Sequence, residues 1–130
     1  MAKLKLSSIL LFSEDPKALG EFYEKVLGEA PGWNDGGYIG FDTGSCYLTI
    51  GPHDKVKGKN PQPERVMLNL ETDDVQGEFE RIKKAADPTV IAEPYTMGGE
   101  EYRIATLADP DGNYFQLVTP FDMDVDLSKN

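Results

Sequence analysis

Cysteine and histidine are nearly missing from this sequence, which has one of each in 130 residues. A single thiol, Cys46, cannot close a disulfide within the chain, and a single imidazole, His53, cannot supply a two-histidine metal site. Basic residues are scarce as well. Thirteen Lys and Arg stand against 23 Asp and Glu, giving a formal charge of −10. A phosphate backbone would be repelled, so no nucleic acid partner is expected. Also missing is any run near the roughly 18 apolar residues that a membrane span needs, so no membrane partner is expected either. The apolar stretch at 9–12, behind Lys3 and Lys5, is too short for a secretory signal and runs straight into Ser13-Glu14-Asp15-Pro16. These absences imply a cytoplasmic protein. What remains, 39% hydrophobic and 28% charged residues, is the composition of one globular domain, and a chain of this length buries about two thirds of its unfolded surface.

The apolar pattern divides the chain into two halves with one element order. Residues 4–12 have few breakers and read as a strand. From Asp15, the apolar residues Ala18, Leu19, Phe22, Tyr23, Val26 and Leu27 form one helical stripe. Asp15 suits the N-cap, Pro16 the first helical position, and Gly28 the left-handed residue that ends the helix. Five glycines then punctuate short strands around Trp33, at 38–41 and at 46–50. A loop at 51–64 carries Lys55, Lys57 and Lys59. After it the order recurs: a strand at 65–71, a helix at 72–86 with its stripe at Val75, Phe79, Ile82 and Ala86, then strands at 89–93, 102–108 and 114–119. Asp109-Pro110-Asp111-Gly112-Asn113 reads as a turn, and as too short for a calcium loop. The acidic tail 121–130 reads as a frayed or partner-docked end. Asp15 and Asp74 open the two helices, so the halves imply an internal duplication. Charge is not duplicated: residues 1–65 carry 8 basic and 9 acidic groups, and 66–130 carry 5 and 14.

A doubled strand-helix-strand-strand-strand unit, with Phe22-Tyr23-Glu24-Lys25-Val26-Leu27-Gly28 closing the first helix and Asp109-Pro110-Asp111-Gly112-Asn113-Tyr114-Phe115-Gln116-Leu117 opening the last strand, resembles the vicinal oxygen chelate superfamily. That superfamily includes glyoxalase I, extradiol dioxygenases and the bleomycin-resistance binding proteins. The resemblance spans residues 4–119. It implies an α+β fold of two tandem βαβββ modules, about 4–51 and 65–119, forming one domain. Their strands would make a curled mixed sheet around a cleft, with the helices on the outer face and a second subunit often completing the site. In the metal-dependent branch His and Glu side chains on the first and last strands of each module hold a divalent ion. The matching positions here hold Ser8, Thr49, Met67 and Gln116, so no metal or other cofactor is expected and no catalytic residue is assigned.

Strand alternation from these four positions adds Leu6, Leu10, Tyr47, Asn69, Tyr114 and Val118 to the cleft side, and puts Ile9, Leu11, Leu48, Ile50, Val66, Leu68, Leu70, Phe115 and Leu117 against the helices. A face that mixes rings, amides, hydroxyls and a thioether is what a small-molecule pocket uses. The expected ligand-binding residues are Ser8, Trp33, Tyr47, Thr49, Met67, Asn69, Tyr102, Tyr114 and Gln116. Asn69 and Gln116 would hydrogen-bond, and the rings and Met67 would supply apolar walls. His53 reads as a solvated loop histidine and Cys46 as a small packing residue. Gly98-Gly99-Glu100-Glu101 reads as a flexible flap. The resemblance and the net charge together point to a non-catalytic homodimer of the bleomycin-resistance type that sequesters a cationic or aromatic antibiotic-like ligand. The alternative is an enzyme: a metal-dependent lyase or dioxygenase whose ligands are not placed, or a metal-free isomerase using a tyrosine or carboxylate.

Overall fold

Two short sequences set the starts of both helices. In the computed structural model, which describes residues 2–97 and 101–120, the Asp15 and Asp74 side chains accept hydrogen bonds from the Ala18 and Gly77 amides. Just upstream, the Ser13 and Thr72 hydroxyls accept from the Asp15 and Asp74 amides. Each carboxylate thus satisfies a donor that the first helical turn leaves open. The helices α1 (Pro16–Leu27) and α2 (Val75–Ala86) are both 12 residues long. They also end alike, on left-handed residues Gly28 and Asp87. Gly28 adopts that geometry freely, whereas Asp87 has a Cβ to accommodate.

Among the described residues, the first unit comprises 2–62 and Asp109–Asn113. Its strands are β1 (Ser8–Ser13), β2 (Trp33–Asp35), β3 (Tyr38–Asp42) and β4 (Tyr47–Pro52), in the order β1-β4-β3-β2. The β1–β4 pairing is parallel and the other two are antiparallel. Gly36 and Gly37, with φ of 62° and 86°, form the two-residue turn between β2 and β3, which needs positive φ at both positions. Helix α1 packs on β1, β3 and β4. Leu19, Phe22, Tyr23 and Val26 are buried, as are Phe41, Leu48 and Ile50 of the sheet. Gly20 sits against Ile39, where a methyl group would come within 2.5 Å of the Ile39 Cδ1 atom.

Among the described residues, the second unit comprises 63–97, 101–108 and 114–120. Its strands β5 (Leu68–Glu71), β6 (Thr89–Thr96), β7 (Arg103–Ala108) and β8 (Tyr114–Val118) follow the order β5-β8-β7-β6. Here too the first and last strands pair in parallel and the rest antiparallel. Helix α2 packs on β6, β7 and β8. Val75, Phe79, Ile82, Ala105, Leu107, Phe115 and Leu117 are buried, each large side chain contributing about 1.5–3 kcal/mol by leaving water. The α+β architecture is therefore a βαβββ module repeated, each with its own four-stranded mixed sheet.

Two strand starts lie later than the periodicity places them. Strand β1 begins at Ser8, and Leu4 and Leu6 ahead of it are exposed. Strand β5 begins at Leu68, and Val66, assigned to the helix side, is 69% exposed. In both cases the partner decides. Tyr47 and Phe115 are the first residues of β4 and β8 to face a parallel neighbour, so the two ladders start there, the Ser7 carbonyl ahead of β1 still accepting from the Tyr47 amide. On the side away from the helices, Thr49 and Val118 are buried rather than open, and Leu6 lies outside the sheet. Gly98 to Glu100 of the expected flap and the acidic tail 121–130 lie outside the described residues.

Candidate functional site

In the first unit the face away from α1 is built in rows that run across the sheet. Ser8 pairs with Tyr47 and Tyr47 with Asp42. Leu10 pairs with Thr49, Thr49 with Gly40, and Gly40 with Trp33. Four of the sequence-selected residues, Ser8, Trp33, Tyr47 and Thr49, thus share one face. Two glycines explain how its rings are seated. The Trp33 indole lies directly on Gly40, and the Tyr38 ring lies on Gly51, each where a Cβ would stand. Neither glycine has a positive φ, so the backbone does not call for glycine there. The rings do. Glycine weakens a strand interior, and it recurs where another group must approach the backbone closely. Trp33 and Tyr38 remain 46% and 37% exposed, Tyr47 and Leu10 about half exposed, while Thr49 is buried.

The second unit's corresponding face has a polar row set among Ile104, Ala108, Tyr114 and Val118. Asn69 pairs with Gln116, and Gln116 with Thr106. The Gln116 Nε2 donates to the Thr106 Oγ1 at 3.0 Å, which orients the amide. Asn69 is exposed on the edge strand, and Tyr114 is half-buried opposite Ala108. Met67 and Tyr102 fall just outside β5 and β7, so sheet geometry does not direct their side chains. Thr106 was not among the sequence candidates. Its signal was a hydroxyl inside the otherwise apolar strand Ile104-Ala105-Thr106-Leu107-Ala108. Gly40 and Gly51 were also missed, because only the pairing register shows which rings cover them.

The Asp109–Asn113 turn is more than a connection. The Asp109 carboxylate is buried and accepts from the Tyr23 hydroxyl at 2.7 Å, from the Asp111 and Asn113 amides, and from the Asn113 side chain. Asn60 holds the same turn, donating to Asp111 through its backbone and to Asn113 through its side chain. Burial pushes the Asp109 carboxyl up from its ordinary value, against hydrogen bonds from Asn113, Tyr23 and the turn amides that pull it down. Tyr23 is pushed well up, first by burial and then by the Asp109 charge. With every donor aimed at the carboxylate and the phenol buried, this pair anchors the turn and offers no open position to a substrate.

A divalent ion of the metal-dependent branch can be tested against donor chemistry. Ser8, Thr49, Met67 and Gln116 present two hydroxyls, a thioether and an amide in place of imidazoles and carboxylates, and the Gln116 nitrogen is committed to Thr106. Among the described residues no group of three or more His, Cys, Asp or Glu is placed to hold a metal. These residues do not fit the ion. His53 sits edge-on to Phe12 at 5.2 Å and caps its own loop by accepting from the Lys55 amide, and Cys46 is half-buried ahead of β4. No helix among the described residues is long and apolar enough to cross a membrane.

Comparison with known proteins agrees with this architecture. The model of the glyoxalase-like domain family matches residues 8–118. No curated protein sequence is similar to the chain. A glyoxalase/bleomycin resistance protein/dioxygenase family enzyme from Burkholderia phytofirmans superposes with a TM-score of 0.73 at 23% identity, over 91% of this chain and 100% of that one. TioX from Micromonospora sp. ML1 gives 0.71 at 14% identity, over 88% and 98%. The fosfomycin resistance protein FosX from Mesorhizobium loti gives 0.69 at 17% identity, over 95% and 98%. At these identities the likeness is one of fold.

Proposed function

Because the chain belongs to the glyoxalase-like domain family, we propose that it binds a small organic ligand without changing it chemically, sequestering a cationic or aromatic antibiotic-like molecule as a cytoplasmic homodimer. One observation carries this reading. The helix-free faces of the two sheets hold rings, hydroxyls and amides, and Ser8, Thr49 and Gln116 stand on them at positions where metal-dependent relatives place His and Glu. Such faces supply apolar walls and a few orienting polar groups. The net charge of −10 favours cations over anions.

The test pairs metal analysis with a thermal-shift screen. Protein purified without chelator is expected to carry no stoichiometric divalent ion. Cationic antibiotics or aromatic metabolites that bind should raise the melting temperature, since a ligand at a hundred times its Kd stabilises by about 2.7 kcal/mol. The ligand should be recovered with unchanged mass, and sedimentation should report a dimer. One bound divalent ion per subunit, or conversion of the ligand, would replace this reading with the metal-dependent lyase or dioxygenase.

A further inference from the structure

We propose that Asp35-Gly36, at the turn between β2 and β3, is a site of spontaneous isomerisation to isoaspartate, and that the product frees the edge strand β2 together with Trp33. The sequence contains two Asp-Gly pairs, Asp35-Gly36 and Asp111-Gly112, and the fold treats them oppositely. In such a pair the amide nitrogen that follows the aspartate attacks the side-chain carboxyl carbon. A C–N bond forms, the carboxyl hydroxyl leaves as water with the amide proton, and a five-membered succinimide results. Water then adds back at either ring carbonyl. One addition regenerates aspartate, and the other gives isoaspartate, in which the main chain runs through the former side chain. The sum is a rearrangement without change of mass, and it needs no co-reactant but water. Glycine after the aspartate favours closure because it has no Cβ to hinder the ring.

Asp35, Gly36 and Gly37 are all exposed, and apart from its chain neighbours no heavy atom lies within 4 Å of where a Gly36 Cβ would stand. Among the described residues neither the Asp35 carboxylate nor the Gly36 amide has a hydrogen-bond partner. Nucleophile and electrophile are both free. At the other pair they are not. The Gly112 amide donates to the Asp109 carbonyl at 2.9 Å, the Asp111 carbonyl accepts from the Asn60 amide at 2.8 Å, and one oxygen of the Asp111 carboxylate is buried. Ring closure there must first break the turn. Isoaspartate at Asp35 adds one main-chain atom beside a turn whose two residues set the pairing of Asp35 with Tyr38, Asn34 with Ile39 and Trp33 with Gly40. Strand β2 is three residues long, lies at the sheet edge and pairs with β3 alone. No other strand holds it in register once that pairing is disturbed, and Trp33 then leaves its seat on Gly40.

The test ages the folded chain in warm, mildly acidic buffer beside a sample held unfolded in urea, then scores isoaspartate at each site by electron-transfer fragmentation of the separated tryptic peptides. In urea the two sites should isomerise at similar rates. In the folded chain Asp35 should run at least tenfold ahead of Asp111. Asp35→Asn, whose leaving group is ammonia, should close the ring at least tenfold faster and register as a change of mass. Asp35→Glu keeps the charge but needs a six-membered ring, so it should abolish the reaction. Trp33 is the sole tryptophan, so its emission should shift to the red in proportion to isoaspartate at Asp35, and stay constant in aged Asp35→Glu. Equal rates at Asp35 and Asp111 in the folded chain, or no isoaspartate at Asp35 there, would overturn the site. Isoaspartate at Asp35 with Trp33 emission unchanged would overturn the release of β2.

Discussion

Replacing Tyr23 by Phe removes one oxygen from the buried interior of the first unit and isolates a single interaction. The Tyr23 hydroxyl donates to the Asp109 Oδ2 at 2.7 Å, and that oxygen keeps only the Asn113 side chain, at 3.0 Å, once the hydroxyl is gone. A hydrogen bond to a charged group contributes about 1.5–3 kcal/mol. The remaining donor puts the expected loss near the middle, about 2 kcal/mol, or roughly 7 °C in a chain of this size. Alkaline pH supplies a second signature. The folded state holds the Tyr23 proton above the ordinary phenol value of 10.0, while the unfolded chain releases it there. The unfolded state then binds fewer protons, so stability falls as pH rises past that value, by at most about 1.4 kcal/mol per pH unit. Tyr23→Phe should flatten this limb. Asp109 has the same sign in a different pH window. Its carboxyl is raised in the fold from 3.8, so its contribution improves as pH falls through the window above that value, and this group does not drive acid unfolding. Denaturant melts of wild type, Tyr23→Phe, Asp109→Asn and the double variant, from acid to alkaline pH, measure all of this. A Tyr23→Phe loss under about 0.5 kcal/mol, with the alkaline limb unchanged, would show that solvent already satisfies the carboxylate and would refute the argument.

Other outcomes test the partition of the sheets. Leu117→Ala, on the side of α2, should cost about 2–5 kcal/mol in a denaturant melt. Gln116→Ala should cost about 1 kcal/mol through the lost bond to Thr106, and weaken ligand binding measured by calorimetry. If the larger loss came from Gln116, the two faces would be reversed. Asp87→Gly relieves a residue held at φ 48° and should raise stability by about 0.5–1 kcal/mol, read as a higher melting temperature. Dialysis against chelator should leave both the melting temperature and ligand affinity unchanged.

Local chemistry made the repeat readable. Ser13 and Thr72, Asp15 and Asp74, and Gly28 and Asp87 occupy equivalent places at the helix ends, and the first two pairs are short polar residues that act on amides within a few positions. The apolar stripes of both helices and the alternation of β4 and β8 were legible for the same reason, since periodicity reports which side of an element is buried. Strand starts were less so. Whether Leu4, Leu6 or Val66 belongs to a strand depends on where a partner begins, a fact stored elsewhere in the chain.

The candidate site divides along the same line. That Ser8, Thr49, Met67 and Gln116 cannot supply a carboxylate or imidazole follows from residue identity alone, and so do the acidic charge and the single reporter tryptophan. That Trp33 covers Gly40, that Gln116 is oriented by Thr106, and that Asp109 is buried beneath Tyr23, 86 positions away, was decided only by the fold. Short-range pattern specifies which face of an element turns inward. Which distant side chain meets it is set by strand register and by packing, and no window of sequence contains both partners.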